Sequence, residues 1–303
     1  MTSGRNLISV CVCTFQRPVL LARLLDALVD QRTDGAFGVE VVVVENEAAR
    51  ASEALVRERA GRSPVPIHYH CEPERNISKA RNRAVASAGG SLVAFIDDDE
   101  RPEKDWLLNL HRTMQATGAD GVLGPVVPEF PPDAPRWLAA SGVLNRARLP
   151  TGELIGPRDG RTGNVLLKRS LFANGDTWFD PALGRTGGED TDFFARQRAA
   201  GRTLVWCDEA VAQEMVPPER WSASFHLRRM WRSGTLGGER ARRGQQSFGF
   251  LARSAAVFGG CALALPFSLF VPKSVRMKVA LKAAYCGGVV TGAMGWSSLR
   301  ERE

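Results

Sequence analysis

Residues 97–100 read Asp-Asp-Asp-Glu, directly after the apolar run Leu92–Ile96. Consecutive carboxylates at the end of a buried strand repel one another and need a counter-ion. A hard divalent cation, Mg²⁺ or Mn²⁺, suits carboxylate oxygens. In extended backbone Asp97 and Asp99 point the same way, so they could clamp a cation and bridge it to a diphosphate. An acidic turn leading the next helix is the competing reading, and Pro102 close behind fits it. A second group is Gly187-Gly188-Glu189-Asp190-Thr191-Asp192. Glycines here deliver acids to a helix start, where the macrodipole favours the ionised form. A carboxylate so placed can serve as a general base. First-turn acids of an ordinary helix account for Asp192 above all, but not for the whole run.

Three more groups fall at strand exits. Thr14-Phe15-Gln16-Arg17-Pro18 ends the first apolar run; Thr14 and the backbone can meet a nucleotide, and Arg17 can reach phosphate. Glu45-Asn46 ends the second, where an acid can accept from a base or ribose. Arg75–Arg83 brings cations and amides into a helix start beside the acids, with Arg83 read as a solvated face. Glu214 fits either a donor or metal site or a plain surface acid. His68 and His70 share a strand face without further His or Cys nearby, so ordinary strand histidines outweigh zinc. Trp178 and Trp206 read as core or pocket-wall aromatics.

The elements that must position these groups alternate. Strands are expected at Leu7–Cys13, Val39–Val44, Ile67–His70, Leu92–Ile96 and Thr203–Cys207. Helices are expected at Val19–Val29, Ala48–Ala60, Ser78–Ala88, Trp106–Thr117 and Gly187–Ala200. This order predicts an α/β fold, a mostly parallel Rossmann-like sheet with helices on both faces. Ligands of such sheets lie beyond the carboxyl ends of the strands. The proline-rich stretch 125–161 reads as a loop-rich insertion covering the site.

The 303 residues carry a net charge of +7, unevenly spread. Residues 1–225 hold 27 Lys and Arg against 30 Asp and Glu, whereas 226–303 hold 13 against 3. The domain boundary is therefore set near 225, with a basic helical region beyond it. Six cysteines without a Cys-x-x-Cys pair suggest reduced thiols rather than a disulfide framework. The first apolar run is too short for a secretory signal. Within the basic tail, Ser254–Pro272 and Ala283–Leu299 are free of charge over 19 and 17 residues. Lys273, Arg276 and Lys278 between them oppose two full spans by the positive-inside tendency. A monotopic or re-entrant hairpin on the inner leaflet is favoured, with arginines on anionic headgroups; two spans and a buried soluble hairpin are the alternatives. No recognition motif for nucleic acid accompanies the charge.

Taken together, Thr14-Phe15-Gln16-Arg17-Pro18, Asn76–Asn82 ending Ala80-Arg81-Asn82, Asp97-Asp98-Asp99 and Glu189-Asp190 resemble the inverting family 2 glycosyltransferases of GT-A fold, over about residues 7–232. Arg161-Thr162-Gly163-Asn164, Phe179–Asp190 and Pro217-Pro218-Glu219-Arg220 resemble the succinoglycan-type glucosyltransferases that extend lipid-linked exopolysaccharide repeats. The resemblance implies that Thr14, Phe15, Arg17, Glu45 and Arg81 hold the donor nucleotide. It places Asp97 and Asp98 near ribose and diphosphate, with Asp97 and Asp99 on the metal. Asp190 becomes the base and Glu189 its support. The implied partners are a nucleoside-diphosphate sugar (UDP-glucose) and a polyprenyl-diphosphate-linked saccharide, at the cytoplasmic face of the inner membrane. Glu45 stands where Asp is commoner. The Gln-x-x-Arg-Trp motif of processive synthases is absent, which argues for adding one sugar. Two other readings use the same acids: a metal-dependent phosphoryl or nucleotidyl transferase, and a non-catalytic sugar-nucleotide or lipid-binding protein.

Overall fold

The computed structural model describes residues 6–156, 159–173, 175–244, 246–264 and 271–296. The chain forms two compact units: one runs to Val127 and resumes over Arg146–Met215, the other comprises Pro128–Asn145 and Val216–Glu301. The division thus falls at Met215–Val216, and part of the proline-rich stretch goes with the tail.

The first unit is built on β1 (Asn6–Thr14), α1 (Pro18–Val29), β2 (Phe37–Glu45), α2 (Glu53–Ala60), β3 (Ile67–Cys71), α3 (Ile77–Ser87), β4 (Leu92–Ile96), β5 (Glu100–Pro102), α4 (Trp106–Thr117) and β6 (Gly121–Leu123). After β7 (Val126–Glu129), the short helix α5 (Arg136–Ser141) belongs to the second unit. The first unit continues with β8 (Asn164–Lys168), α6 (Glu189–Ala199), β9 (Leu204–Trp206) and β10 (Ala212–Met215). Seven strands form one sheet in the order β3-β2-β1-β4-β8-β6-β9. All run parallel except β8, which is antiparallel to both β4 and β6. The expected mostly parallel α/β sheet is therefore present, with one reversed strand.

The local reasons are plain. Val41–Val44 and Leu92–Ile96 are buried throughout, as strands covered on both faces must be. Pro18 opens α1, whose Leu21, Leu24, Leu25 and Leu28 line one buried stripe; each such leucine contributes about 2 kcal/mol. The expected helix from Ala48 starts only at Glu53, because the Glu45 carboxylate accepts the Ser52 N–H at 2.9 Å and Arg50 turns the chain with φ 53°.

The second unit holds α5, α7 (Ala223–Arg242), α8 (Phe248–Ala264) and α9 (Lys273–Ala293). The residues of the first uncharged run at 265–270, Pro266 included, lie outside the described residues. Helices α7 and α9 meet almost backbone to backbone. A Cβ added at Gly234 would stand 2.0 Å from Tyr285 O, and one at Gly238 2.1 Å from Val289 O. Reciprocally, a Cβ on Gly288 would stand 2.2 Å from Trp231 O, and one on Gly292 2.2 Å from Thr235 O. Each helix thus presents two glycines four residues apart, the spacing of one helical face. Helix α8 leaves Phe248 83% and Leu263 75% exposed, and its single charge is Arg253. Among the described residues no helix is long and apolar enough to cross a membrane.

Candidate active site

The ends of β1, β2 and β4 place Thr14, Glu45 and Asp97 at one rim of the sheet. Thr14 Oγ1 donates to Asp98 Oδ2 at 2.8 Å, and Arg17 Nη1 lies 3.0 Å from Asp98 Oδ1 and 2.9 Å from Asp99 Oδ2. Arg17 is therefore the counter-ion that the run of acids required. The turn carrying it bends through Gln16, whose φ is 54°. Burial, then Asp99, push the Asp98 carboxyl above its ordinary value against Arg17 and Thr14.

Asp97 differs from Asp98. It is exposed where Asp98 is buried. The surrounding protein, then Asp99, Asp98 and Glu214, push it up to about 6 against the pull of Arg81. Glu100 is buried below, its Oε2 accepting the Asp97 N–H at 3.3 Å. Burial, then Asp97 and Asp99, raise it well above the usual carboxylate range. Antiparallel pairing of β5 and β10 sets Glu214 directly opposite Glu100. Like charges so placed destabilise a sheet, and Arg146 relieves them by pairing with Glu214 at 3.0 Å.

The second acidic segment reaches this cluster through α3. Asn76 caps α3 and donates to Pro181 O at 2.9 Å, and Asn82 exchanges two bonds with the Phe179 backbone, at 2.8 and 2.9 Å. Gly184 packs so tightly on Asn76 that a Cβ would overlap its Oδ1. The pinned loop then enters α6 through Gly187 and Gly188, with φ of 89° and 102°, a conformation that glycine alone adopts without strain. Phe193 stacks between Phe172 and Phe179 at 5.5 and 4.8 Å, anchoring the helix. At its start Glu189 is buried and pairs with Arg81 Nη1 at 2.5 Å. Burial lowers the Arg81 guanidinium, but Glu189, then Asp97, more than offset it. Asp190 is half-buried, and its Oδ1 accepts the Thr191 N–H at 2.7 Å, which leaves Oδ2 for a proton.

Of the residues expected to hold a nucleotide, several are committed inside the protein. Glu45 is fully buried, accepting from Ser52 and from the Tyr69 hydroxyl at 2.6 Å; it fixes the β2 exit loop instead of facing the cleft. Thr14, Arg17 and Asp98 form one bonded set, and Arg81 serves Glu189. Phe15 lies under the Arg75 guanidinium at 4.5 Å. Asp192 makes an i,i+4 pair with Arg196 at 2.8 Å, the structural part expected of it. Sequence reasoning left Glu100, Arg146 and Gly163 without roles. A Cβ on Gly163 would stand 2.8 Å from Glu100 Oε1 and 3.1 Å from Asp97 Oδ2, so only glycine passes there.

Among the described residues no three His, Cys, Asp or Glu side chains converge on one point. A small hard cation needs only one or two carboxylates when substrate phosphates supply further oxygens. Asp97 and Asp99 fit that donor chemistry, with Asp97 exposed and Asp99 held in place by Arg17 at 2.9 Å.

Known proteins match this arrangement. The model of glycosyl transferase family 2 matches residues 9–175. The succinoglycan biosynthesis protein ExoM of Rhizobium meliloti (strain 1021) is 36% identical over 299 residues, 97% of this chain and 95% of its own. The mannosyltransferase PcManGT of Pyrobaculum calidifontis, solved with GDP-Man and Mn²⁺, superposes with a TM-score of 0.65 at 20% identity, covering 96% of this chain and 88% of that one. S. aureus TarS 1–349, solved with UDP, superposes at 0.54 and 17% identity, covering 95% and 90%. The two structures share the α/β fold of the first unit's sheet.

Proposed function

This chain belongs to glycosyl transferase family 2, and on that premise we propose that it moves one sugar, glucose, from UDP-glucose to a polyprenyl-diphosphate-linked saccharide with inversion at the anomeric carbon. The observation that carries the reading is the buried Arg81–Glu189 pair. It joins two segments 108 residues apart and so brings Asp190 to the acids at the β4 exit. Asp190 Oδ2 takes the proton of the acceptor hydroxyl while the hydroxyl oxygen attacks the anomeric carbon. The bond to the diphosphate oxygen breaks on the opposite side, and the nucleoside diphosphate leaves with that electron pair. Thr191 N–H fixes the plane of the base, and Glu189, held by Arg81, fixes the helix that carries it. Asp97 and Asp99 would hold Mg²⁺ or Mn²⁺, which neutralises charge on the leaving group when bound. PcManGT with Mn²⁺ and TarS with UDP support such a site, and the ExoM relative supports a place in exopolysaccharide synthesis.

The second unit supports a peripheral place on the cytoplasmic face of the inner membrane. Helix α8 exposes Phe248, Phe258 and Leu263, which a water-facing helix has no reason to carry. Arg240, Arg242 and Arg243 close the preceding helix and suit anionic headgroups.

The test is a panel of nucleotide sugars offered with lipid-linked acceptors, scored by acceptor mass and anomeric configuration. UDP-glucose is expected to add one hexose in the β configuration with release of UDP. An α product from this α-linked donor overturns inversion, and release of pyrophosphate overturns glycosyl transfer.

A further inference from the structure

Because β8 runs against β4, it begins where β4 ends, and Asn164 pairs with Ile96. The residues leading into β8 therefore pass over the cleft. A Cβ on Gly160 would fall 2.5 Å from Phe194 Cβ, so this end of the segment rests on α6. Gly163, at the other end, rests on Asp97 and Glu100. Phe194 and Asp190 are four residues apart on α6 and share a face. Arg161 thus sits between the base and the acid cluster, where substrates must react.

The Arg161 side chain is half-buried. Its guanidinium carbon stands 5.9 Å from the Trp206 ring centroid, and its Nε is enclosed without a hydrogen bond in the protein. Burial, then Arg146, hold the guanidinium below its ordinary value, and Asp159, Glu100 and Asp190 do not offset them. Arg17, Arg81 and Arg146 each pair with an acid within 3.0 Å. A cation partly removed from water beside a reaction centre is stabilised only by an anion, and its planar fork suits phosphate oxygens.

We propose that Arg161 binds a diphosphate group of a substrate in the cleft between Asp190 and Glu100. The inference rests on the glycosyltransferase reading. Two substrates carry this chemistry, the nucleotide donor and the polyprenyl-linked acceptor, and the experiment separates them.

UDP affinity is measured by calorimetry with Mn²⁺, and the acceptor KM at saturating donor, for the wild type, Arg161→Gln and Arg161→Lys. Loss of one charged hydrogen bond is worth about 10- to 100-fold. Weakened UDP binding in Arg161→Gln with an unchanged acceptor KM assigns the donor diphosphate; the reverse assigns the acceptor. Arg161→Lys is expected to recover part of the loss. Unchanged values in a folded Arg161→Gln overturn the inference. Should that variant not fold, the Nε–H resonance of Arg161 in the wild type is followed by NMR. A shift on adding UDP or a short-chain polyprenyl diphosphate supports the proposal, and no shift with either overturns it. A wild type that neither binds UDP nor modifies any acceptor removes the underlying reading instead.

Discussion

In the first unit close approach is made by charges, whereas in the second it is made by backbone. Arg17, Arg81 and Arg146 each tie an acid from a distant stretch of chain, so the carboxylates are held in a fixed constellation. Gly234, Gly238, Gly288 and Gly292 instead let α7 and α9 meet with no side chain between them. The difference shows what each unit does with its surface. In the first unit Asp98 and Asp99 face Arg17, Glu189 faces Arg81 and Glu214 faces Arg146. Beyond residue 225 the sequence carries 13 Lys and Arg against 3 Asp and Glu, an excess of positive charge that suits an anionic surface.

Substitutions can break this contrast from either side. The largest effect is expected from Asp190→Asn, which removes the base but not the donor site. Turnover should fall about 10²- to 10⁴-fold, with UDP binding kept; a rate near wild type by acceptor mass would remove Asp190 from the chemistry. Next, Arg81→Met strands the buried Glu189 carboxylate, and urea denaturation should show a loss of about 3–5 kcal/mol. Adding Glu189→Gln should restore part of it, and additive losses would show that the pair does not act as a unit. In the second unit Gly288→Val drives a side chain into the Trp231 carbonyl and should cost about 1–3 kcal/mol or more. Gly259 on α8 has open space around it, so Gly259→Ala should stabilise by about 1 kcal/mol. Equal effects at both glycines would dissolve the seam. The smallest effect is in pH. Asp97, raised to about 6, gains a proton in the folded state before an ordinary aspartate at 3.8 does. UDP affinity with Mn²⁺ should therefore weaken as pH falls through 6, while the ligand-free protein gains stability over the same interval. Asp97→Asn should flatten both profiles.

Much of this was legible in the residues because both-face burial leaves continuous apolar runs, and the runs end where the polar groups begin. Val39–Val44 and Leu92–Ile96 located β2 and β4, and with them Glu45 and Asp97. Direction was not legible: the three apolar residues Val165–Leu167 of β8 read the same whether the strand is parallel or reversed. Nor were the partners of the site residues. The resemblance assigns Arg81 to the donor nucleotide and strand position offers Glu45 a base or ribose, but that Glu189 lies beside the one and Ser52 and Tyr69 beside the other is a tertiary fact. The abundance of glycine in the tail was visible, but which helix faces which is a tertiary fact.

The reversed strand has a consequence for how the protein can change. A parallel strand offers the cleft only the loop that leaves it, whereas β8 offers the loop that enters it. Between Arg146 and Gly163, both fixed by their contacts with the acids, exposed positions such as Glu153 and Leu154 can therefore change without shifting the registers of β1, β2 and β4. Variation is thereby admitted to the entering loop while the strands that carry the acids stay constant.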